Sequence, residues 1–171
     1  MKSMAHEQNN KIQKQNIGNA GEYYIAARLS ALNFVATITL GRAEKYDILA
    51  LSPSGRAIKL SVKTAYKETA KAFPLSAKDE DGASNDFYYA FVRLNQFNKE
   101  PDLWIIPSKV VAPLIKRSQK IWMRTLGRKG QQHKETAMRQ LPIIVPETWH
   151  KFYPNWVEKV DQYYNNLKQL K

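Results

Sequence analysis

The chain has 171 residues, enough for one ordinary hydrophobic core, so we expect a single domain over residues 17–171. It contains no cysteine, which excludes a disulfide framework and a zinc site built on thiolates. Its apolar runs are much shorter than the roughly 20 residues that cross a bilayer. We therefore expect no signal peptide, no membrane partner and a cytoplasmic location.

The positive charge of the chain is strongly clustered. The net charge is +12, from 27 basic and 15 acidic residues, and the segment from Pro107 to Gln140 holds nine basic residues and one acid. Such clustering is typical of proteins that bind nucleic acid, because each neutralised phosphate releases condensed counterions. A solvated basic face is the alternative. The predicted nucleic-acid-binding residues are Lys59, Arg128, Lys129, His133, Lys134 and Arg139.

The first predicted element is a helix from about Asn19 to Leu32, after a polar stretch, residues 1–16, that we expect to be a flexible tail. Ile25 and Leu29 are four residues apart, which is typical of a helix packed on a core. Glu22 lies seven residues before Leu29 and so projects from the same stripe. A metal ion would be a partner for this inward acid, and a first-turn glutamate reached by water is the alternative.

Three strands are predicted next, at residues 34–40, 47–51 and 58–64. The turn-rich residues 52–56 join the second strand to the third. This hairpin would place Asp47 and Lys63 on adjacent strands. Because side chains alternate along a strand, Lys59, Ser61 and Lys63 should share one face and the apolar residues between them the other.

The second half of the chain is predicted to contain two more strands and two helices. Residues 65–86 are mixed and include an exposed loop, and aromatic or β-branched strands follow at 87–94 and 102–106. A helix is predicted either to begin with Ser108 as N-cap and to be kinked at Pro113, or to begin later with Pro113 in its first turn. A second, amphipathic helix closes the chain from Pro154 to Leu170.

Three phrases, in this order, resemble the PD-(D/E)XK nuclease superfamily and within it a small bacterial branch. They are the helical residues 18–23 with Glu22, the strand start at Asp47, and the strand 59–64 with Ser61-Val62-Lys63. The resemblance covers roughly the first two thirds of the chain. It implies an α+β fold with the restriction-endonuclease-like αβββαβ core, in which a mixed central sheet is flanked by helices.

The resemblance also implies a site and a reaction. Glu22, Asp47 and the Val62 carbonyl would bind Mg²⁺ or Mn²⁺, and Lys63 would orient or deprotonate the attacking water. The substrate would be nucleic acid, DNA rather than RNA, and a homodimer is left open. Ser61 stands where the family usually has glutamate or glutamine, so the site would hold one negative charge fewer. An active nuclease, a nuclease fold that binds nucleic acid without cutting it, and a protein-interaction domain all fit the sequence.

Overall fold

A computed structural model of the chain describes residues 12–39, 46–127, 129–145 and 147–171. Three helices and seven strands lie within these ranges. In chain order they are α1 (Lys14–Ser30), β1 (Val35–Ile38), β2 (Ile48–Leu51), β3 (Ala57–Ala65), β4 (Ala72–Ser76), β5 (Phe87–Arg93), β6 (Asp102–Pro107), α2 (Ser108–Arg124), β7 (Met138–Pro142) and α3 (Trp156–Asp161).

The centre of the fold is a mixed sheet with the strand order β1-β2-β3-β5-β6. β3 and β5 are parallel, whereas the other neighbours in the sheet are antiparallel. The predicted mixed sheet flanked by helices is therefore confirmed, as is the β1-β2-β3 meander that follows α1. The turn between β2 and β3 depends on Gly55, whose φ of 85° is costly for other residues.

Each face of this sheet has its own hydrophobic core. On one face α1 packs against alternate residues of β2, β3 and β5, including Ile58, Leu60 and Val62. On the other face α2 and the strands β4 and β7 pack against Tyr89 and Phe91 of β5. The predicted apolar side of β3 is thus the side that faces α1.

A second, two-stranded sheet was not predicted. It pairs β4 with β7 in antiparallel register, and β4 lies in the connection between the parallel strands β3 and β5. There β4 and a short 3₁₀ turn, Ala77–Glu80, stand where a helix was predicted in the αβββαβ core. The sequence did not indicate β4 because it contains Pro74, and proline lacks the N–H that a central strand needs.

The C-terminal segment differs from the single predicted helix. α3 ends at Asp161, and Asn165 then has a positive φ of 48°. The chain continues along the free edge of β6, where Asn165 N–H donates to the Leu103 carbonyl at 2.7 Å and Ile105 N–H donates to the Tyr163 carbonyl at 3.2 Å. Pairing of these β6 backbone groups outweighs the helical periodicity of the segment.

The two long helices also depart from their predicted limits. α1 begins at Lys14, so residues 14–16 of the predicted tail are helical, whereas residues 1–11 lie outside the described residues. α2 begins at Ser108 and continues through Pro113, which lies beyond its first turn. No helix in the described part of the chain is long and apolar enough to span a membrane.

Candidate active site

Close packing of a glycine places α1 against β3. Gly21 is buried in α1, and a Cβ atom added there would lie 2.0 Å from Oγ1 of Thr64. No larger residue fits at this crossing unless Thr64 moves. The contact fixes Glu22, the next residue of α1, near the C-terminal half of β3.

The carboxylate of Asp47 links the start of β2 to β3 through hydrogen bonds. Its Oδ2 atom accepts a hydrogen bond from the Val62 N–H at 2.6 Å and another from the Ser61 hydroxyl at 3.2 Å. The backbone N–H of Asp47 also donates to the Leu60 carbonyl at 2.8 Å. Oδ1 accepts no hydrogen bond from a described residue, so half of the carboxylate is available to a ligand.

Glu22 and Asp47 converge although they lie on different elements. Burial raises the pKa of the Glu22 carboxyl above its ordinary value, and the negative charge of Asp47 raises it further. A carboxyl group whose pKa is raised by burial and by a neighbouring carboxylate favours a bound proton or a nearby cation. The structure therefore brings together the two acids that the sequence singled out.

Lys63 lies on β3 directly after Val62, on the strand next to β2. It is half-buried, and its ammonium forms no ion pair with any described residue. Because the N–H and C=O of a strand residue point to the same edge, the Val62 carbonyl faces the side on which Asp47 lies. The Val62 carbonyl thus lies on the Asp47 side of β3, and Lys63 is the next residue of the strand.

Ser61 differs from its neighbours on the polar face of β3. It is buried, whereas Lys59 and Lys63 are half-exposed. Its hydroxyl donates a hydrogen bond to Asp47. Its observed role is to position that carboxylate. A neutral hydroxyl adds no negative charge to the site.

The donor set at the site suits a hard cation. Among the described residues, no group of three or more His, Cys, Asp and Glu side chains is arranged to hold a metal. Two carboxylates and a backbone carbonyl could hold such a cation, and waters would have to complete its shell. That is the sparse oxygen set with which proteins usually hold Mg²⁺. The Glu22 pKa, raised partly by Asp47, supports the fit because a cation would relieve this repulsion.

The predicted nucleic-acid-binding residues are not gathered at one place. Lys59 pairs with Asp86 at 3.4 Å near the start of β3. Lys129 and Lys134 are exposed on the loop before β7, and the His133 ring stacks on Trp122 with centroids 3.9 Å apart. Arg128 lies outside the described residues.

The prediction that Arg139 is part of a nucleic-acid-binding surface does not agree with the structure. Its side chain is only 9% exposed and is paired with Glu80 and with Glu135, the latter at 3.0 Å. Its charge is therefore balanced inside the protein, where it joins the 3₁₀ turn to β7. Arg139 does not form part of an exposed phosphate-binding surface.

Sequence analysis did not single out three exposed cations on α2, namely Lys116, Lys120 and Arg124. They were counted in the basic segment but not separated from the loop that follows. Their spacing of four residues was the available signal, because it places them on one side of a helix.

A cavity of about 310 Å³ lies between α2 and the β4–β7 sheet. Its walls include Trp122, Met138 and Tyr153, and Gln119 and Gln140 also line it. None of the candidate catalytic residues lines this cavity. It is therefore separate from the carboxylate pair.

The fold is similar to that of a bacterial homing endonuclease, I-Ssp6803I, with a TM-score of 0.45 and 12% sequence identity. The alignment covers 88% of this chain and 95% of that chain. At this level the likeness concerns the course of the chain and assigns no residue a role. No protein-family model matches the chain, and no curated protein matches it.

Proposed function

We propose that this protein is a metal-dependent nuclease whose site is formed by Glu22, Asp47, Lys63 and the Val62 carbonyl. One observation carries the proposal. The Glu22 carboxyl on α1 is perturbed by the charge of Asp47, and Asp47 is hydrogen-bonded to Val62, the residue before a β3 lysine that has no ion-pair partner among the described residues. The resemblance of these three segments to the PD-(D/E)XK superfamily supports it.

Each residue would contribute a definite part of the chemistry. A bound Mg²⁺ or Mn²⁺ supplies a nucleophilic water at neutral pH and a sink for developing charge. Glu22 and Asp47 would hold the cation, and the hydrogen bonds from Val62 and Ser61 keep Asp47 in one orientation. Lys63 orients the attacking water and stabilises the negative charge of the phosphoryl oxygens in the transition state.

The neutral Ser61 sets the expected cation preference. With two carboxylates rather than three, the site should bind Mg²⁺ weakly. Mn²⁺ should support a faster reaction, because it binds oxygen and nitrogen ligands more tightly than the alkaline-earth ions do. DNA is the first substrate to test, with RNA of the same sequence beside it.

A cleavage assay tests the proposal. Labelled single- and double-stranded DNA and RNA are incubated with Mg²⁺, Mn²⁺ or EDTA. We expect cutting that requires the cation and falls at least a hundredfold in Asp47→Asn and in Lys63→Ala. Lys67→Ala is the matched control, because Lys67 is an exposed lysine just after β3. Undiminished cutting by Asp47→Asn, or cutting in EDTA, would contradict the proposal.

A second candidate is a nucleic-acid-binding module that does not cut. The neutral Ser61, whose hydroxyl positions Asp47 rather than adding charge, favours it. Binding without cutting in Mn²⁺, by the wild type and by Ser61→Glu, would support this module over the nuclease. Neither binding nor cutting on any of the four substrates would leave a protein-interaction domain.

A further inference from the structure

The charges of α2 are all of one sign. The helix contains 17 residues and no acid. Helices exposed to water usually carry both signs, because oppositely charged residues four apart stabilise one another. The cations of α2 are Lys109, Lys116, Arg117, Lys120 and Arg124.

Several cations outside α2 are paired with carboxylates. Arg93 pairs with Asp102 at 2.8 Å, Lys59 with Asp86 at 3.4 Å, and Lys99 with Glu68 at 2.5 Å. In contrast, no cation of α2 forms an ion pair with a described residue. The positive charge of this helix is therefore not balanced in the described part of the protein.

The unpaired charge lies opposite the buried face of α2. Val111, Leu114, Ile115 and Ser118 are buried against the rest of the protein. At 3.6 residues per turn, Lys116, Lys120 and Arg124 fall within an arc of about 80° on the other side. We call these three residues the α2 stripe, and all three are exposed.

The α2 stripe costs stability in the free protein. Lys116 repels Lys120, and Lys120 repels Arg124, each pair being four residues apart. The helix dipole offsets this only near the C-terminus, at Arg124, because its influence fades beyond the last turn. Lys116 lies in the middle of the helix, so the dipole does not account for it. An anionic partner bound along the helix would account for the position of Lys116.

We propose that the α2 stripe lies along the sugar-phosphate backbone of the nucleic acid. Lys116 and Arg124 are separated by about 12 Å along the helix axis, a span over which a DNA duplex presents several phosphates, since each strand carries one per about 3.4 Å of duplex axis. The apolar face of α2 is used in the core, so nothing remains to insert into a lipid surface. The inference rests on the proposed function only in taking nucleic acid as the partner.

The test compares two triple variants with the same change in charge. One is Lys116→Gln, Lys120→Gln and Arg124→Gln. The other replaces three exposed lysines near the C-terminus, Lys159, Lys168 and Lys171, with glutamine. Binding of a labelled DNA duplex is measured in EDTA over a range of salt concentrations. Circular dichroism checks folding, which should hold because glutamine is a good helix former.

Loss of the α2 stripe should lower the slope of log affinity against log salt by about 2.7, since each lost phosphate contact removes about 0.9. The control triple should lower it by less than one. A third variant, Lys116→Arg, Lys120→Arg and Arg124→Lys, keeps the charge and should keep the slope.

Equal changes in the two glutamine triples would overturn the proposal, because net charge alone would then explain binding. Binding of anionic vesicles that depends on the α2 stripe, without duplex binding, would also overturn it and indicate a lipid partner. Failure of the nuclease proposal can be distinguished from failure of the α2 stripe proposal. Duplex binding through the α2 stripe without cleavage in Mn²⁺ would contradict only the nuclease.

Discussion

The Val62 N–H donates its hydrogen bond to the side chain of Asp47, at 2.6 Å from Oδ2, and not to the backbone of a neighbouring strand. The acid is therefore structural through one oxygen, while the other accepts no hydrogen bond from a described residue. A mutation of Asp47 is therefore expected to change both the stability of the fold and the binding of a ligand.

Asp47→Ala should lower the free energy of unfolding by about 1–3 kcal/mol, because the Val62 N–H and the Ser61 hydroxyl lose their acceptor. Asp47→Asn keeps an acceptor oxygen and should cost clearly less. Urea denaturation without divalent cations measures both values. Equal losses in the two variants would show that charge, rather than the hydrogen bond, stabilises this junction.

Gly21→Ala should destabilise the protein by about 1–3 kcal/mol, because its Cβ would overlap the Thr64 side chain. Gly18→Ala is the matched control. A Cβ at Gly18 meets no atom within 4 Å, so alanine should stabilise α1 by roughly 0.5–1 kcal/mol.

Replacing Thr64 with alanine removes the hydroxyl that Gly21→Ala would meet. That hydroxyl has no hydrogen-bond partner among the described residues. The double variant Gly21→Ala and Thr64→Ala should therefore recover most of the loss. Additive destabilisation of the two substitutions in thermal melts would mean that the helix and strand do not cross as described.

Glu22 should make stability fall with rising pH. Its pKa is raised in the folded state, first by burial and then by Asp47, so the folded protein holds the proton to higher pH than the unfolded chain does. The favourable contribution is complete below the ordinary glutamate pKa, about 4.3. It is lost as pH rises to the raised value.

Glu22→Gln should remove this loss, which a series of urea titrations upward from about pH 4 would detect. Saturating Mn²⁺ should flatten the wild-type profile as well, because a bound cation favours the ionised carboxylate. A wild-type slope equal to that of Glu22→Gln would show that the carboxyl is not perturbed.

Ser61→Glu should produce stability that depends on divalent cations. The new carboxylate would be buried beside Asp47, so the free energy of unfolding should fall in EDTA. Mn²⁺ should restore more stability to this variant than it adds to the wild type, and should raise the rate of cleavage.

Ser52→Glu is the matched control for Ser61→Glu. Ser52 is also a buried serine, but its hydroxyl contacts Ser54 in the turn between β2 and β3. Mn²⁺ should not rescue it. If thermal melts show equal recovery in the two variants, the cation does not bind at the Asp47 site.

Local sequence signals were sufficient for part of the fold. Alternation along β3 and the turn-rich residues 52–56 predicted the β2–β3 hairpin, and the hairpin placed Asp47 against Ser61 and Val62, the two residues before Lys63. These features depend on residues close in the chain. The helical stripe of α1 likewise predicted which side of that helix is buried.

Long-range pairing accounts for what the sequence did not reveal. β4 exists because it pairs with β7, some 65 residues later, and the predicted C-terminal helix is interrupted because residues 163–165 pair with β6. The burial of Arg139 has the same origin, since Glu80 lies far away in the chain. At the site, the use of Ser61 to orient Asp47 was visible only once β2 and β3 were in register.

Direct measurement of Mn²⁺ binding tests the central claim, that Glu22 and Asp47 form a divalent-cation site. Electron paramagnetic resonance of free Mn²⁺ during a titration counts the ions bound. We predict one site per chain in the wild type, lost in Asp47→Asn, weakened at least tenfold in Glu22→Gln and kept in Lys63→Ala, which removes no ligand. Absence of Mn²⁺ binding by the wild type, or undiminished binding by the double variant Glu22→Gln and Asp47→Asn, would contradict the account.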